Sequence, residues 1–277
     1  MANPYPFKDK VIAVTGASRG TGLALTKYLL VRGAKVSMAA TSKDNLNKAV
    51  AEIEKDIPDV RGRVLSFPVD VTNPKDVQDW IEATCAQWGE LDGAANAGCA
   101  DNIIAKMNKS IHPIEDLDLE ELKQMLDVNV IGTFNSIKYE MKHMKPGGSI
   151  VNCGSQQVKY ASGNMGAYAA SKNAVRGLSQ VAAYEGGAKY PQNPIRVNLL
   201  CPGCINTDMI RQPLHLPNGQ GTWTMAEDDN LTSIIKRYSK PEEVAATIAF
   251  LLGDESKFVT KQEWYVDGGW MEANYVA

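Results

Sequence analysis

The chain has 277 residues, 44% of them hydrophobic and 22% charged, with a net charge of −3. That is the composition of a soluble globular protein long enough to bury a sizeable core, and its near-balanced charge points away from nucleic acid and anionic membranes as partners. The N-terminus "MANPYPFKDK" has no apolar signal core, no apolar run approaches the ~18 residues of a membrane helix, and five cysteines, an odd number, fit a reduced cytoplasmic setting.

Strand and helix patterns alternate along the chain. "KVIAVTG" (10–16) is a short β-branched run ending in glycine and reads as a buried strand. "TGLALTKYLLVRG" (21–33) has helical spacing of leucines, with Gly33 as its stop. "AKVSMAA" (34–40) is a second strand; Ser42 is placed to cap the next helix, and Pro58 lies beyond its end. "RVLSFPVDV" follows as a strand and "PKDVQDWIEATCAQWG" as a helix with Pro74 in its first turn. "LDGAANAG" is a strand running into a loop, and a long helix is expected over roughly 117–144. Then come a strand in "GSIVNCGS", a helix over 165–188, a strand in "IRVNLLCPG", a helix near 241–252 and a last strand in "QEWYVDGG". This alternation predicts a Rossmann-type α/β fold, a doubly wound, mostly parallel sheet with helices on both faces. No repeat or linker divides it, so one domain over 1–277 is expected. Residues 206–240 do not fit the alternation; their apolar residues, interrupted by Pro213, Pro217, Gly219 and Gly221, suggest a substrate lid around 206–235.

"TGASRGTG" sets Gly16, Gly20 and Gly22 between the first strand and the first helix. Glycines there permit a tight turn and let backbone N–H groups approach a pyrophosphate, while the helix N-terminus adds partial positive charge. A plain βα turn is the competing explanation, but the strand–turn–helix context is the one dinucleotide binding requires.

"YAASK" puts Tyr168 and Lys172 one helical turn apart on one face. A free phenol ionises near ~10, far from neutral pH. A neighbouring ammonium favours the phenolate and brings that ionisation closer to neutral pH. Ser155, at a strand end, has a hydroxyl that can hold a substrate oxygen against developing charge.

Taken in order, Gly16-x-x-x-Gly20-x-Gly22, Asp70-Val71, "NAG" (96–98), "NV" (129–130), Ser155, Tyr168-x-x-x-Lys172 and "PG" (202–203) make the chain resemble the short-chain dehydrogenase/reductase family of about 250 residues, from about 10 to 269. One departure is Ala95, where that family often carries a second asparagine. The resemblance implies Asn129, Ser155, Tyr168 and Lys172 as the catalytic set, with Asn129 anchoring a water relay and Lys172 also binding the nicotinamide ribose. It implies Asp70 and Val71 at the adenine, Asn96, Ala97 and Gly98 along the cofactor ribose, and Thr207 at the carboxamide. Ser18 and Thr21 in the glycine turn, with Pro202, Gly203 and Ile205 before Thr207, complete the cofactor contacts. It also implies a homotetramer or homodimer, built on the helix at 165–188 and the "WYVDGGW" strand. Asp70 is equally explained as a cap for the helix that begins at Pro74.

At the end of the second strand the chain reads Ala40, Thr41, Ser42, Lys43, with no carboxylate to bind a ribose 2′-hydroxyl or repel a 2′-phosphate. Arg19 can pair with that phosphate, helped by Thr41, Ser42 and Lys43, so NADP(H) is expected; Asp44 is the neighbour that argues the other way. The "CPGC" of 201–204 lacks a second metal-binding pair and ends a strand instead of starting a helix, so neither zinc nor a redox dithiol is expected. "NCGSQQ" is not a hydrolase nucleophile motif. The expected activity is interconversion of a ketone and a secondary alcohol on a small, apolar, cyclic or polycyclic substrate. An epimerase or dehydratase using the same tyrosine and lysine, or a non-catalytic NADP-binding protein, are the other readings.

Overall fold

In the computed structural model, which describes residues 6–98, 113–207, 214–215, 222–223 and 233–270, seven parallel strands form one sheet in the order β3-β2-β1-β4-β5-β6-β9. The strands are β1 (Val11–Thr15), β2 (Lys35–Ala40), β3 (Val64–Pro68), β4 (Leu91–Asn96), β5 (Met144–Cys153), β6 (Arg196–Pro202) and β9 (Glu263–Val266). A two-stranded antiparallel ribbon, β7 (Leu214–His215) with β8 (Thr222–Trp223), lies outside it in the chain order.

The helices are α1 (Gly20–Val31), α2 (Lys43–Asp56), α3 (Pro74–Trp88), α4 (Leu119–Leu126), α5 (Gly132–His143), α6 (Gly166–Lys189) and α7 (Pro241–Leu252). They cover both faces, which is why β1 is buried along its whole length and reads as a continuous apolar run. Ile12 and Val14 face one core with Leu25 and Leu29 of α1, Leu46 and Ile53 of α2, and Ile248 and Leu252 of α7. Val11 and Ala13, alternate residues of the same strand, face the other core with Trp80 and Ile81 of α3, Ile137 of α5 and Ala182 of α6. Trp80 also donates a 2.8 Å hydrogen bond to Ser37 Oγ, so its indole is buried without an orphaned N–H.

Local chemistry explains the boundaries. Ser42 caps α2 by accepting a bond from Asn45 N, as its position predicts. Asn73, and not Asp70, caps α3: Lys75 N donates to Asn73 Oδ1 at 3.0 Å, and Pro74 supplies the preset first turn. The helix expected over 117–144 is interrupted by a π-turn at Asp127–Ile131, which separates α4 from α5. Such extra-residue turns often mark functional positions, and here it carries Asn129 inward.

From β1 the chain winds outward to β3, then returns to β4 on the other side of β1. This reversal opens a crevice beyond the C-terminal ends of β1 and β4, the usual ligand position in sheets of this kind. The turns after both strands meet there.

Candidate active site

The glycine turn after β1 and the loop after β4 are in direct backbone contact. Gly16 has φ +66°, and a Cβ on it would stand 2.7 Å from Gly98 Cα and 2.8 Å from Gly98 N, so no other residue fits without displacing the loop. Gly98 N donates to Thr15 Oγ1 at 3.1 Å, tying the two strand ends together. A Cβ at Gly22 would lie 2.3 Å from Gly16 O, which lets α1 start directly under the turn. Arg19 occupies the N-cap position of α1 without making a side-chain capping bond, and the first turn carries no acidic side chain. The result is a cradle of backbone at a helix start with positive partial charge, the arrangement a pyrophosphate needs. The cradle fits a dinucleotide on its own geometry. Thr207, in the loop after β6, reaches the same turn: a Cβ on Gly20 would sit 3.4 Å from its methyl group.

The expected polar residues gather beside this cradle. Tyr168 and Lys172 lie on the first turns of α6, and the Lys172 Nζ stands 5.6 Å from the Tyr168 ring centroid. Lys172 is only 2% exposed, and its ammonium donates to Cys153 O, the last carbonyl of β5, at 3.0 Å. A lysine is seldom buried to this degree without a reason. Asn129, 1% exposed on the π-turn, donates to Ser171 Oγ at 2.9 Å, and Ser171 donates to Tyr168 O at 2.7 Å. Ser171 is a member of this set that sequence reading missed; its position between Tyr168 and Lys172 in "YAASK" was the available signal. Ser155 follows β5 and accepts from Gln157 N at 3.2 Å, which starts the short 3-10 turn at Gln156–Val158. It is buried, so its hydroxyl is held in a fixed place.

The remaining cofactor candidates divide. Asp70 Oδ1 accepts from Thr72 N at 2.9 Å and from Thr72 Oγ1 at 2.7 Å, so it organises the turn after β3. Val71 lies against Gly132, and its carbonyl accepts from Asn135 Nδ2 at 2.9 Å. Asn96 turns its amide into the protein, toward Glu140 and Asn152, so only its backbone faces the loop with Ala97 and Gly98. Ser18 and Thr21 lie in the glycine turn. Thr41 and Ser42 stand at the end of β2, where no carboxylate precedes the helix cap. Pro202 ends β6, Gly203 N donates to Val266 O at 2.9 Å, and Ile205 pairs with Ser239 before Thr207.

Cys201 is fully buried in β6, and that burial pushes its thiol up to about 12; Cys204 is half-buried. Among the described residues no cluster of three metal-binding side chains exists, and no helix is long and apolar enough to cross a membrane. Of the stretch 206–235, most lies outside the described residues, and the lid expectation lies there with it.

The family model described as enoyl-(acyl carrier protein) reductase matches residues 16–271. The chain is 36% identical over 271 residues to the short-chain dehydrogenase/reductase aba4 of Botryotinia fuckeliana, covering 96% of this chain and 98% of that protein. It is 33% identical over 266 residues to a 2,5-dichloro-2,5-cyclohexadiene-1,4-diol dehydrogenase of Sphingobium indicum, covering 95% and 97%. A crystal structure of a short-chain dehydrogenase from Burkholderia cenocepacia in complex with NADP superposes with a TM-score of 0.79 at 28% identity, covering 95% of this chain and 98% of that one. The chain belongs to the short-chain dehydrogenase/reductase family, oxidoreductases that bind a nicotinamide cofactor.

Proposed function

We propose that this protein is an NADPH-dependent oxidoreductase that interconverts a ketone and a secondary alcohol on an apolar cyclic substrate, with Tyr168 as the general acid and base. The observation that carries the reading is the buried Lys172 ammonium set 5.6 Å from the Tyr168 ring and bonded to the last carbonyl of β5, the strand beside β4. Bound at the cradle, the nicotinamide dinucleotide supplies the hydride for reduction and takes it up in oxidation. Tyr168 gives its phenolic proton to the carbonyl oxygen in one direction and removes the hydroxyl proton in the other. Lys172 stabilises the phenolate that this leaves, in a setting where a charge is felt more strongly than in water. Ser155 donates to the same substrate oxygen and fixes its position as charge develops. Asn129 and Ser171 hold the backbone of Tyr168 in line by the bonds described above.

The absence of a carboxylate at Ala40-Thr41-Ser42 and the guanidinium of Arg19 beside the helix start support NADPH over NADH. The NADP complex of the Burkholderia relative is in keeping with this, and the cyclic diol named for the Sphingobium relative supports a cyclic substrate. Exposed apolar side chains on α6, Val181 and Tyr184, with Phe134 on α5, support assembly of two or four copies.

The test is to mix the protein with NADPH and a panel of cyclic and acyclic ketones and follow the reduced cofactor by absorbance, with chiral analysis of products. Reduction of cyclic ketones is expected, and Tyr168→Phe should lose ~10²-fold or more in turnover while keeping its fold and cofactor affinity. Near-normal turnover in that variant would remove Tyr168 from the reaction. Preference for a small charged keto acid would overturn the substrate class.

A further inference from the structure

Glu140 lies on α5 with none of its surface exposed. Its Oε2 accepts a 3.0 Å bond from Asn96 Nδ2, and the same amide nitrogen donates to Asn152 Oδ1 at 2.9 Å. Asn152 Nδ2 continues to Ser179 Oγ at 2.9 Å, and Ser179 donates to Val175 O. One line of bonds thus joins α5, β4, β5 and α6. Two atoms are left over: among the described residues, Glu140 Oε1 and Asn96 Oδ1 are buried without a hydrogen-bond partner. They belong to the two groups that are already joined.

An ionised carboxylate and an amide oxygen are both acceptors, so in that state the leftover atoms cannot satisfy each other. A single proton on Oε1 changes this. The acid O–H then donates to Asn96 Oδ1 while Asn96 Nδ2 donates to Oε2, closing a cyclic acid–amide pair and leaving no buried polar atom of either group unmatched. Removing this carboxyl from water favours the same neutral form. We propose that Glu140 stands in the fold as a neutral carboxylic acid paired through two bonds with the Asn96 amide, and that this pair is a positioning device for the end of β4 at the glycine turn.

The position of the pair supports that role. Asn96 is the last residue of β4, and Gly98, two residues on, packs its backbone against Gly16. Burial pushes the Glu140 carboxyl up to about 8 against an ordinary value of 4.5, and only the Asn96 bond works the other way. The titratable groups on the elements packed around it are Lys75, Asp76, Asp79, Glu82 and Cys85 on α3, Asp92 on β4, Lys145 and Cys153 on β5, Asp127 on the π-turn, Tyr168, Lys172, Arg176, Tyr184, Glu185 and Lys189 on α6, and Lys138, Tyr139, Lys142 and His143 on its own helix. None of these contributes to the shift. Between pH 4.5 and about 8 the unfolded chain has lost a proton that the folded protein keeps. The stability this group contributes is therefore complete below 4.5 and drains away as the pH rises to about 8.

The test compares the unaltered protein with Glu140→Gln, whose amide N–H₂ can donate to Asn96 Oδ1 at any pH. Denaturant unfolding without cofactor, from pH 5 to 8, should show the folding constant of the unaltered protein falling relative to the variant by about tenfold per pH unit, the signature of one retained proton. Parallel curves, or a carboxylate instead of a carboxylic-acid carbonyl band for Glu140 in the infrared at pH 7, would overturn the proposal. The infrared measurement needs no variant beyond isotope assignment, so it stands even if Glu140→Gln folds poorly. A second arm rests on the cofactor reading above and follows NADPH affinity by fluorescence through pH 8. Affinity should fall in the unaltered protein and stay level in Glu140→Gln. An equal fall in both would sever the pair from the site, whereas no NADPH binding at any pH, with the unfolding result intact, would sink the cofactor reading alone.

Discussion

Replacing Lys172 by methionine separates the electrostatic part of the chemistry from simple cofactor holding. The ammonium lies 5.6 Å from the Tyr168 ring centroid and is 2% exposed, so bulk water screens it little. Coulomb's law at that separation, with an effective dielectric constant of about 20, gives roughly 3 kcal/mol of phenolate stabilisation. Lost from the transition state, that is on the order of 10²-fold in rate at neutral pH. Methionine keeps most of the methylene packing but abandons the bond to Cys153 O, which costs on the order of 1–3 kcal/mol of stability for an unsatisfied buried carbonyl. The expected result is a folded protein melting a few degrees lower, with alcohol oxidation reduced on the order of 10²-fold at pH 7 and recovering as the pH is raised. The recovery is diagnostic, because alkali supplies the phenolate that the ammonium no longer favours. Steady-state oxidation across pH, beside thermal unfolding and a cofactor titration, measures all three quantities. Turnover within about threefold of the unaltered protein, with only the Michaelis constant for the cofactor raised, would refute the electrostatic role.

Arg19→Ala should raise the Michaelis constant for NADPH by roughly 10–100-fold, the scale of a lost charge-assisted bond, and change that for NADH much less; equal use of both cofactors by the unaltered protein would count against the assignment. Light scattering at micromolar concentration should give a dimer or tetramer, and introducing a charge at Tyr184, exposed on α6, should weaken it. A monomer in the unaltered protein would contradict the assembly.

Much of the architecture was legible because parallel strands buried on both faces leave a strong mark. β1 is an apolar run up to its closing threonine, β6 is buried at every residue although Arg196 and Asn198 interrupt its apolar ones, and the helix at Pro241–Leu252 lies where its proline and spacing put it. The glycine turn was legible because Gly16 and Gly22 are places where a side chain has no room. What escaped depends on partners distant in sequence. Nothing in "KYEMKH" separates Glu140 from an ordinary solvated glutamate; its buried partner is Asn96, on a strand more than forty residues away, which is itself bonded to Asn152. The π-turn at Asp127–Ile131 was hidden for a related reason, since one extra residue in a helical turn hardly disturbs the apolar spacing. Asp70 and Asn73 compete for one helix start, and only the geometry of the turn separates them.

The depth of Cys201 has a practical side. A thiol with no exposed surface, whose ionisation is held up at about 12, is nearly inert toward alkylating reagents while the sheet is closed. It reacts when β6 parts from its neighbours and the sulfur meets water. The slow labelling of this one atom thus clocks the parting of β6 from β5 and from the edge strand β9, and mass spectrometry can follow it without any introduced probe.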